Sequence, residues 1–215
     1  MPFHTVFFDL DGTLCDSKPG IASSMIYALE AFGIQADPED LDRFIGPPLK
    51  YTFAQYGFSG KDLDAVIVKY RENYAIKGVF ELSLYPGIAE MLRDLASAGK
   101  RLILATSKLE SAAVQILEYT GIKPYFSHVA GADQFGMRLE KVDVLRYAFA
   151  QSGIVDSAGC VMVGDREYDI WGARDLGMPC MAVSYGYGAR RELEEADADA
   201  IVDSVSALRN RLLAG

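Results

Sequence analysis

Two aspartates separated by one leucine, Asp9-Leu10-Asp11, end the apolar run Thr5–Phe8 and are followed by Gly12-Thr13. Three more polar clusters come later. Thr106-Ser107-Lys108 follows Arg101–Ala105, Lys141 precedes an amphipathic stretch that starts near Val142, and Gly164-Asp165-Arg166-Glu167-Tyr168-Asp169 follows Cys160–Val163. As chemistry, this set suffices for phosphoryl transfer through a covalent intermediate. One carboxylate can attack phosphorus and become an acyl phosphate. A second, two residues on, can protonate the leaving oxygen and later activate water. A hard divalent cation such as Mg²⁺ takes oxygen ligands, which Asp9 and Asp165 can offer. The cation and a lysine would neutralise charge on the transferring group. A hydroxyl and backbone N–H groups would hold its oxygens.

The elements that must position these residues are legible in the same sequence. Strand-like runs occur at Thr5–Phe8, Arg101–Ala105, His128–Ala130, Cys160–Val163, Cys180–Val183 and Ala200–Val202. Helical spacing links Ile88, Met91, Leu92 and Leu95, then Val114, Ile116 and Leu117, then Val142, Leu145, Tyr147 and Phe149. Strands alternating with helices predict an α/β, Rossmann-like parallel sheet covered on both faces. Such a sheet gathers its strand C-termini at one edge, so the four clusters can meet there. Alternation along the first strand sends Asp9 and Asp11 the same way and turns Leu10 into the core. From about Pro19 to about Ser83 the pattern is helical only, with faces at Ile21, Met25, Ala28, Leu29, Phe32 and at Leu63, Val66, Ile67, Tyr70, Tyr74. Phe44–Leu49, "FIGPPL", reads as a turn, because a helix rarely runs through Gly-Pro-Pro. The expected organisation is a core of residues 1–16 and 85–215 with an all-helical insertion, 17–84, after the first strand.

"FFDLDGTLCDS", "LILATSK", Lys141 and "VMVGDREYDIWGA" together resemble the four ordered motifs of the haloacid dehalogenase-like hydrolase superfamily. The helical insertion is similar to the cap of its phosphoglycolate-phosphatase-like branch. The resemblance implies that Asp9 is the nucleophile and a metal ligand, and that Asp11 is the general acid/base and lends its main-chain carbonyl to the metal. It implies that Thr106 binds the phosphoryl group, with Gly12 and Ser107 as further substrate contacts. Lys141 would orient the nucleophile, Asp165 would bind Mg²⁺, and Asp169 would support the metal's water shell. Family members often carry Lys-Pro at the third motif, where this chain reads "RLEKVDVL"; Lys108 and Lys123 are the rival lysines. In the cap, the turn from Gly46 to Lys50 is a candidate substrate loop. The implied reaction is Mg²⁺-dependent hydrolysis of a small phosphomonoester, of the phosphoglycolate or nucleoside monophosphate type.

Other classes are weighed on particular features. The acid at Asp11 argues against dehalogenation, which needs no proton for an alkoxide. A sugar-phosphate mutase of the β-phosphoglucomutase type uses the same two aspartates and stays open. A regulatory protein that carries an aspartyl-phosphate without turnover is disfavoured, because receiver domains place their acids on different strands. A net charge of −9, from 21 basic and 30 acidic residues, opposes a nucleic-acid surface. No apolar run is long enough to span a bilayer. The beginning of the chain lacks the pattern of a signal peptide, and Cys15, Cys160 and Cys180 form no metal or disulfide spacing. A cytoplasmic monomer or homodimer acting on a phosphorylated metabolite is the expectation. Some residues have plainer readings. Thr106 and Ser107 are expected to cap the helix that follows, Arg166 to be a structural ion-pair residue, with Asp169 its candidate partner, and Trp171 to pack. Phe44, Tyr51, Phe53, Tyr56 and Phe58 read as cap core, and "SYGYG", Ser184–Gly188, as a loop at the active edge.

Overall fold

The structure, a computed structural model, describes residues 3–36, 49–134 and 136–214. In chain order the elements begin with β1 (Thr5–Phe8), β2 (Cys15–Asp16), α1 (Lys18–Glu30), α2 (Leu49–Gln55), α3 (Gly60–Ile76) and β3 (Ser83–Leu84). There follow α4 (Ile88–Ser97), β4 (Arg101–Leu109), α5 (Glu110–Tyr119), β5 (Phe126–Ala132) and α6 (Lys141–Ser152). The chain ends with β6 (Cys160–Gly164), α7 (Glu167–Asp175), β7 (Cys180–Val183), α8 (Arg190–Glu195), β8 (Ala200–Val202) and α9 (Val205–Ala214). It divides into two compact units, Met1–Asp16 with Leu84–Gly215, and Ser17–Ser83.

The first unit is built on a six-stranded parallel sheet in the order β5-β4-β1-β6-β7-β8. Strand β1 lies between β4 and β6, in register Phe8↔Leu104 and Phe8↔Val163. From β1 the sheet grows outward through β4 and β5 on one side and through β6, β7 and β8 on the other. Strand order therefore reverses at β1, and ligands of such sheets bind in the crevice beyond the strand ends at this reversal. The ends of β1, β4 and β6 carry three of the four polar clusters. The fourth, Lys141, opens α6, the helix of the crossover from β5 to β6.

Burial explains why these runs become central strands. All of Thr5–Phe8 is buried, as are Val161, Met162 and Val163, so the alternation of a half-exposed strand is absent. Phe7 stacks on Phe149 with ring centroids 5.1 Å apart. Helix α4 buries Ile88, Met91, Leu92 and Leu95, the face its spacing predicts. Helix α6 differs: its buried face is Val144, Leu145 and Ala148, while Val142, Tyr147 and Phe149 lie at its margins. Strand β4 runs on to Leu109, past Ala105, because its pairing with β5 resumes at Leu109↔Ala132 after a register shift. Strands β2 and β3, two residues each, pair with one another and are too short to show any alternation.

The second unit is helical among its described residues except at its end, where Ser83 opens β3; the expected insertion 17–84 is therefore not helical throughout. Helix α1 starts with Pro in its first turn, a position where the missing N–H costs nothing. Met25, Ala28 and Leu29 of α1 and Val66, Ile67, Tyr70 and Tyr74 of α3 are buried, and Ser24 Oγ donates to Asn73 Oδ1 at 3.1 Å. Phe53 meets Phe58 and Tyr70 edge-on. Tyr51 does not join this core, being largely exposed. Phe44, Gly46 and most of the expected turn lie outside the described residues; Lys50 falls not in a turn but in α2, where it is exposed.

Candidate active site

Asp9 follows the last residue of β1, and its N–H donates to Val163 O at 2.9 Å, which keeps it on the β6 ladder. The chain then closes tightly: Leu10 O accepts from Leu14 N–H at 2.9 Å and from Cys15 N–H at 3.1 Å. Leu10 is fully buried, which anchors the loop between the two acids. Gly12 sits at φ +82°, and a Cβ there would collide with the Asp165 carboxylate, so the position takes only glycine without rearrangement.

Lys141 is the first residue of α6 and is almost fully buried. Its Nζ lies 2.9 Å from Asp9 Oδ1, 2.7 Å from Asp169 Oδ1, and donates to Ala105 O at 3.0 Å. Three acceptors match the three donors of an ammonium. Burial works against its charge, but the Asp169 and Asp9 carboxylates outweigh it and hold its pKa above that of an ordinary lysine. The rival lysines go elsewhere. Lys108 Nζ pairs with Asp11 Oδ2 at 2.7 Å, and Lys123 pairs with Glu118 near the surface.

Asp9, Asp165 and Asp169 each offer a carboxylate oxygen within 4.8 Å of the others. Asp165 has no exposed surface; Thr13 Oγ1 donates to its Oδ1 at 2.9 Å and Tyr187 N–H to its Oδ2 at 2.8 Å. Burial first, then the charges of Asp169 and Asp9, push its pKa up to about 8. Asp169 stands in the first turn of α7 and accepts the Arg166 backbone N–H at 3.1 Å. Burial, only partly countered by Lys141, raises it to about 6. Three buried carboxylates facing one ammonium are an oxygen donor set with excess negative charge. That is what a divalent cation with hard-ligand preference fits. The Asp11 carboxylate stands apart from this set, on Lys108, and among the described residues its buried Oδ1 accepts no hydrogen bond.

Thr106 is buried and Ser107 exposed, both where β4 loses register with β5. Neither caps α5: that helix starts at Glu110 with Leu109 in the cap position, and Thr106 Oγ1 instead accepts the Lys108 N–H at 3.2 Å. The strand simply runs too far for either residue to reach the helix. Asp169 meets the main chain of Arg166 rather than its guanidinium, which is paired with Glu192 at 2.7 Å. Trp171 is nearly half exposed and meets Tyr168 edge-on, so it packs less than expected. The structure thus gathers Asp9, Gly12, Lys141, Asp165 and Asp169, with Asp11 joined through Lys108. Gly46 lies outside the described residues, and Lys50 belongs to the helical unit. Sequence reasoning assigned no role to Thr13, Tyr187 or the Lys108–Asp11 pair. Thr13 and Lys108 each stand inside a quoted motif, which was the available signal.

The fold and this site fall together in one class. The sequence profile of the haloacid dehalogenase-like hydrolases matches residues 6–183, and the chain belongs to that family. Among its relatives is the tyrosine-protein kinase PtkA of Mycobacterium tuberculosis, 44% identical over 184 residues. That match covers 85% of this chain and 62% of the relative, so the chain spans less than two thirds of PtkA's length. A 5'-nucleotidase of Pseudomonas aeruginosa is 34% identical over 98% of this chain and 96% of its own. A phosphoglycolate phosphatase of Caulobacter vibrioides is 31% identical, covering 93% and 86%. The crystal structure of a predicted phosphatase from Clostridium acetobutylicum superposes with a TM-score of 0.94 at 40% identity, covering both chains fully. Among the described residues no helix is long and apolar enough to cross a membrane.

Proposed function

We propose that this chain is a Mg²⁺-dependent phosphatase of small phosphomonoesters that works through an acyl phosphate on Asp9. One observation carries the reading: Lys141 bridges Asp9 to Asp169 inside a buried carboxylate cluster, while Asp11, two residues on, stands outside it. The two acids therefore have different surroundings and can take different roles. Asp9 Oδ1 is held by Lys141, which leaves the other oxygen to attack phosphorus in line with the ester bond. Asp11 delivers a proton to the departing ester oxygen and recovers one from the water that cleaves the acyl phosphate. Thr106, buried in β4 where its pairing with β5 is interrupted, supplies a hydroxyl to the phosphoryl oxygens. Mg²⁺, when bound among Asp9, Asp165 and Asp169 with the Asp11 main-chain carbonyl, would offset charge on the transferring group.

The names of the nucleotidase and phosphoglycolate phosphatase relatives support a small phosphate ester as substrate. Residues 17–84 serve as the cap that selects it. Buried, unpaired cysteines and the acidic balance fit a cytoplasmic enzyme. The test is a panel of phosphate esters, including phosphoglycolate and nucleoside monophosphates, assayed for phosphate release with Mg²⁺ and with EDTA. Release from at least one ester that stops in EDTA is expected; no release from any of them contradicts the reading. The kinase name of the 44%-identical relative favours a second reading, in which the acyl phosphate passes to an acceptor hydroxyl instead of water. Labelled phosphate recovered on an acceptor, with little free phosphate, would select that reading.

A further inference from the structure

The loop that leaves β7, Ser184–Gly188, has no part in the chemistry above, yet it packs on Asp165 and on the loop that follows Asp9 and Asp11. Tyr187 N–H donates to Asp165 Oδ2 at 2.8 Å. Tyr185 OH donates to the main-chain oxygen of Thr13 at 3.0 Å, and Thr13 Oγ1 in turn donates to Asp165 Oδ1 at 2.9 Å. Tyr187 OH reaches Asp16 Oδ1 at 3.0 Å, at the far end of the first motif's loop. The approach is close enough to exclude side chains. A Cβ on Gly186 would run into Gly12 O and Asp165 Cβ, and one on Gly188 into Asp165 O. The Tyr185 ring is braced edge-on by Tyr85, with centroids 5.1 Å apart.

We propose that Ser184–Gly188 is a positioning element of the cation site, which sets cation affinity by fixing Asp165 against the loop that carries Asp9 and Asp11. Each Asp165 oxygen carries one hydrogen bond from this arrangement, so the carboxylate cannot rotate freely and each oxygen keeps a lone pair for a cation. Tyr185 holds the main-chain oxygen of Thr13, whose side-chain hydroxyl makes the second of those bonds. The loop thereby joins ligands from β1 and β6 that are otherwise separate in sequence. Partners of this kind orient metal ligands and are felt in affinity when removed.

This inference rests on the metal-dependent reading above. The experiment titrates Mn²⁺ into the metal-free full chain by calorimetry, for the parent, the Tyr185→Phe/Tyr187→Phe double variant and Gly186→Ala. Both variants should bind Mn²⁺ roughly 10–100-fold more weakly than the parent. The double variant's thermal midpoint in EDTA should match the parent's, whereas Gly186→Ala, whose Cβ meets Gly12 O and Asp165, should lower it; raising Mg²⁺ should rescue lost turnover in both. Should Gly186→Ala fail to fold, the double variant decides, since it removes two hydroxyls and keeps both rings. Unchanged Mn²⁺ affinity in a folded variant overturns the proposal. So does weaker binding in the double variant matched by a fall of its EDTA midpoint, which marks general destabilisation. A parent that takes up no Mn²⁺ overturns the metal-dependent reading itself, and this proposal with it.

Discussion

Cation binding should release a proton, and Asp165 sets how many and at which pH. Burial, and then the charges of Asp169 and Asp9, push its carboxyl pKa up to about 8. At pH 7 it is therefore protonated in a ratio of roughly ten to one. A carboxylate must lose that proton to become a ligand, so binding of Mg²⁺ at pH 7 should release about one proton. The apparent affinity should rise about tenfold from pH 6 to pH 7 and flatten above about pH 8. The same shift makes a stability statement. With a folded pKa above the ordinary value of 3.8, the folded chain holds a proton that the unfolded chain gives up. The stability of the metal-free protein should accordingly fall as pH rises from about 4 to about 8, by up to about 6 kcal/mol. The cation should reverse the loss. Calorimetric titration of Mg²⁺ in two buffers of different ionisation enthalpy gives the proton count directly. Thermal midpoints with and without EDTA across the pH range give the stability slope. No proton release at pH 7, together with an EDTA midpoint that does not fall between pH 5 and pH 8, would refute the reasoning.

Further outcomes follow from the same geometry. Asp9→Asn should abolish turnover and leave circular dichroism unchanged; appreciable residual hydrolysis would remove Asp9 as nucleophile. Asp11→Asn should slow both formation and breakdown of the acyl phosphate by roughly 10²–10⁴-fold, read in stopped-flow single turnovers. Normal rates in that variant would deny Asp11 its proton-transfer role. Lys141→Met leaves Asp9 and Asp169 buried without their ammonium, and should cost about 3–5 kcal/mol in urea unfolding without metal. A loss under about 1 kcal/mol would show that the bridge is not what holds these acids.

Much of this was legible because the clusters stand at strand ends. The run Thr5–Phe8 is apolar throughout, and an uninterrupted apolar run that ends in two acids is what a central parallel strand with a site at its tip looks like. Strand order then does the gathering, and it follows from the β/α alternation without any knowledge of side-chain contacts. What stayed hidden depends on contacts between distant segments. Nothing near Tyr187 in sequence shows that its N–H meets Asp165, twenty-two residues earlier. Nothing near Lys108 shows whether it would join Asp9 or Asp11, 97 residues away. The expected cap at Thr106 failed because strand pairing won over a local hydrogen bond, carrying β4 through to Leu109. The α6 face was shifted because Lys141, at its first residue, turns inward to the acids, which sets the helix's rotation.

The central claim is that Asp9 becomes the acyl phosphate. Its most direct test is to quench the enzyme in acid during steady-state turnover and reduce it with borohydride. That treatment converts an aspartyl phosphate to homoserine, which peptide mass spectrometry then locates. Homoserine is expected at position 9, and none at position 11, 165 or 169. Homoserine at another aspartate, or none at all while turnover proceeds, would contradict it.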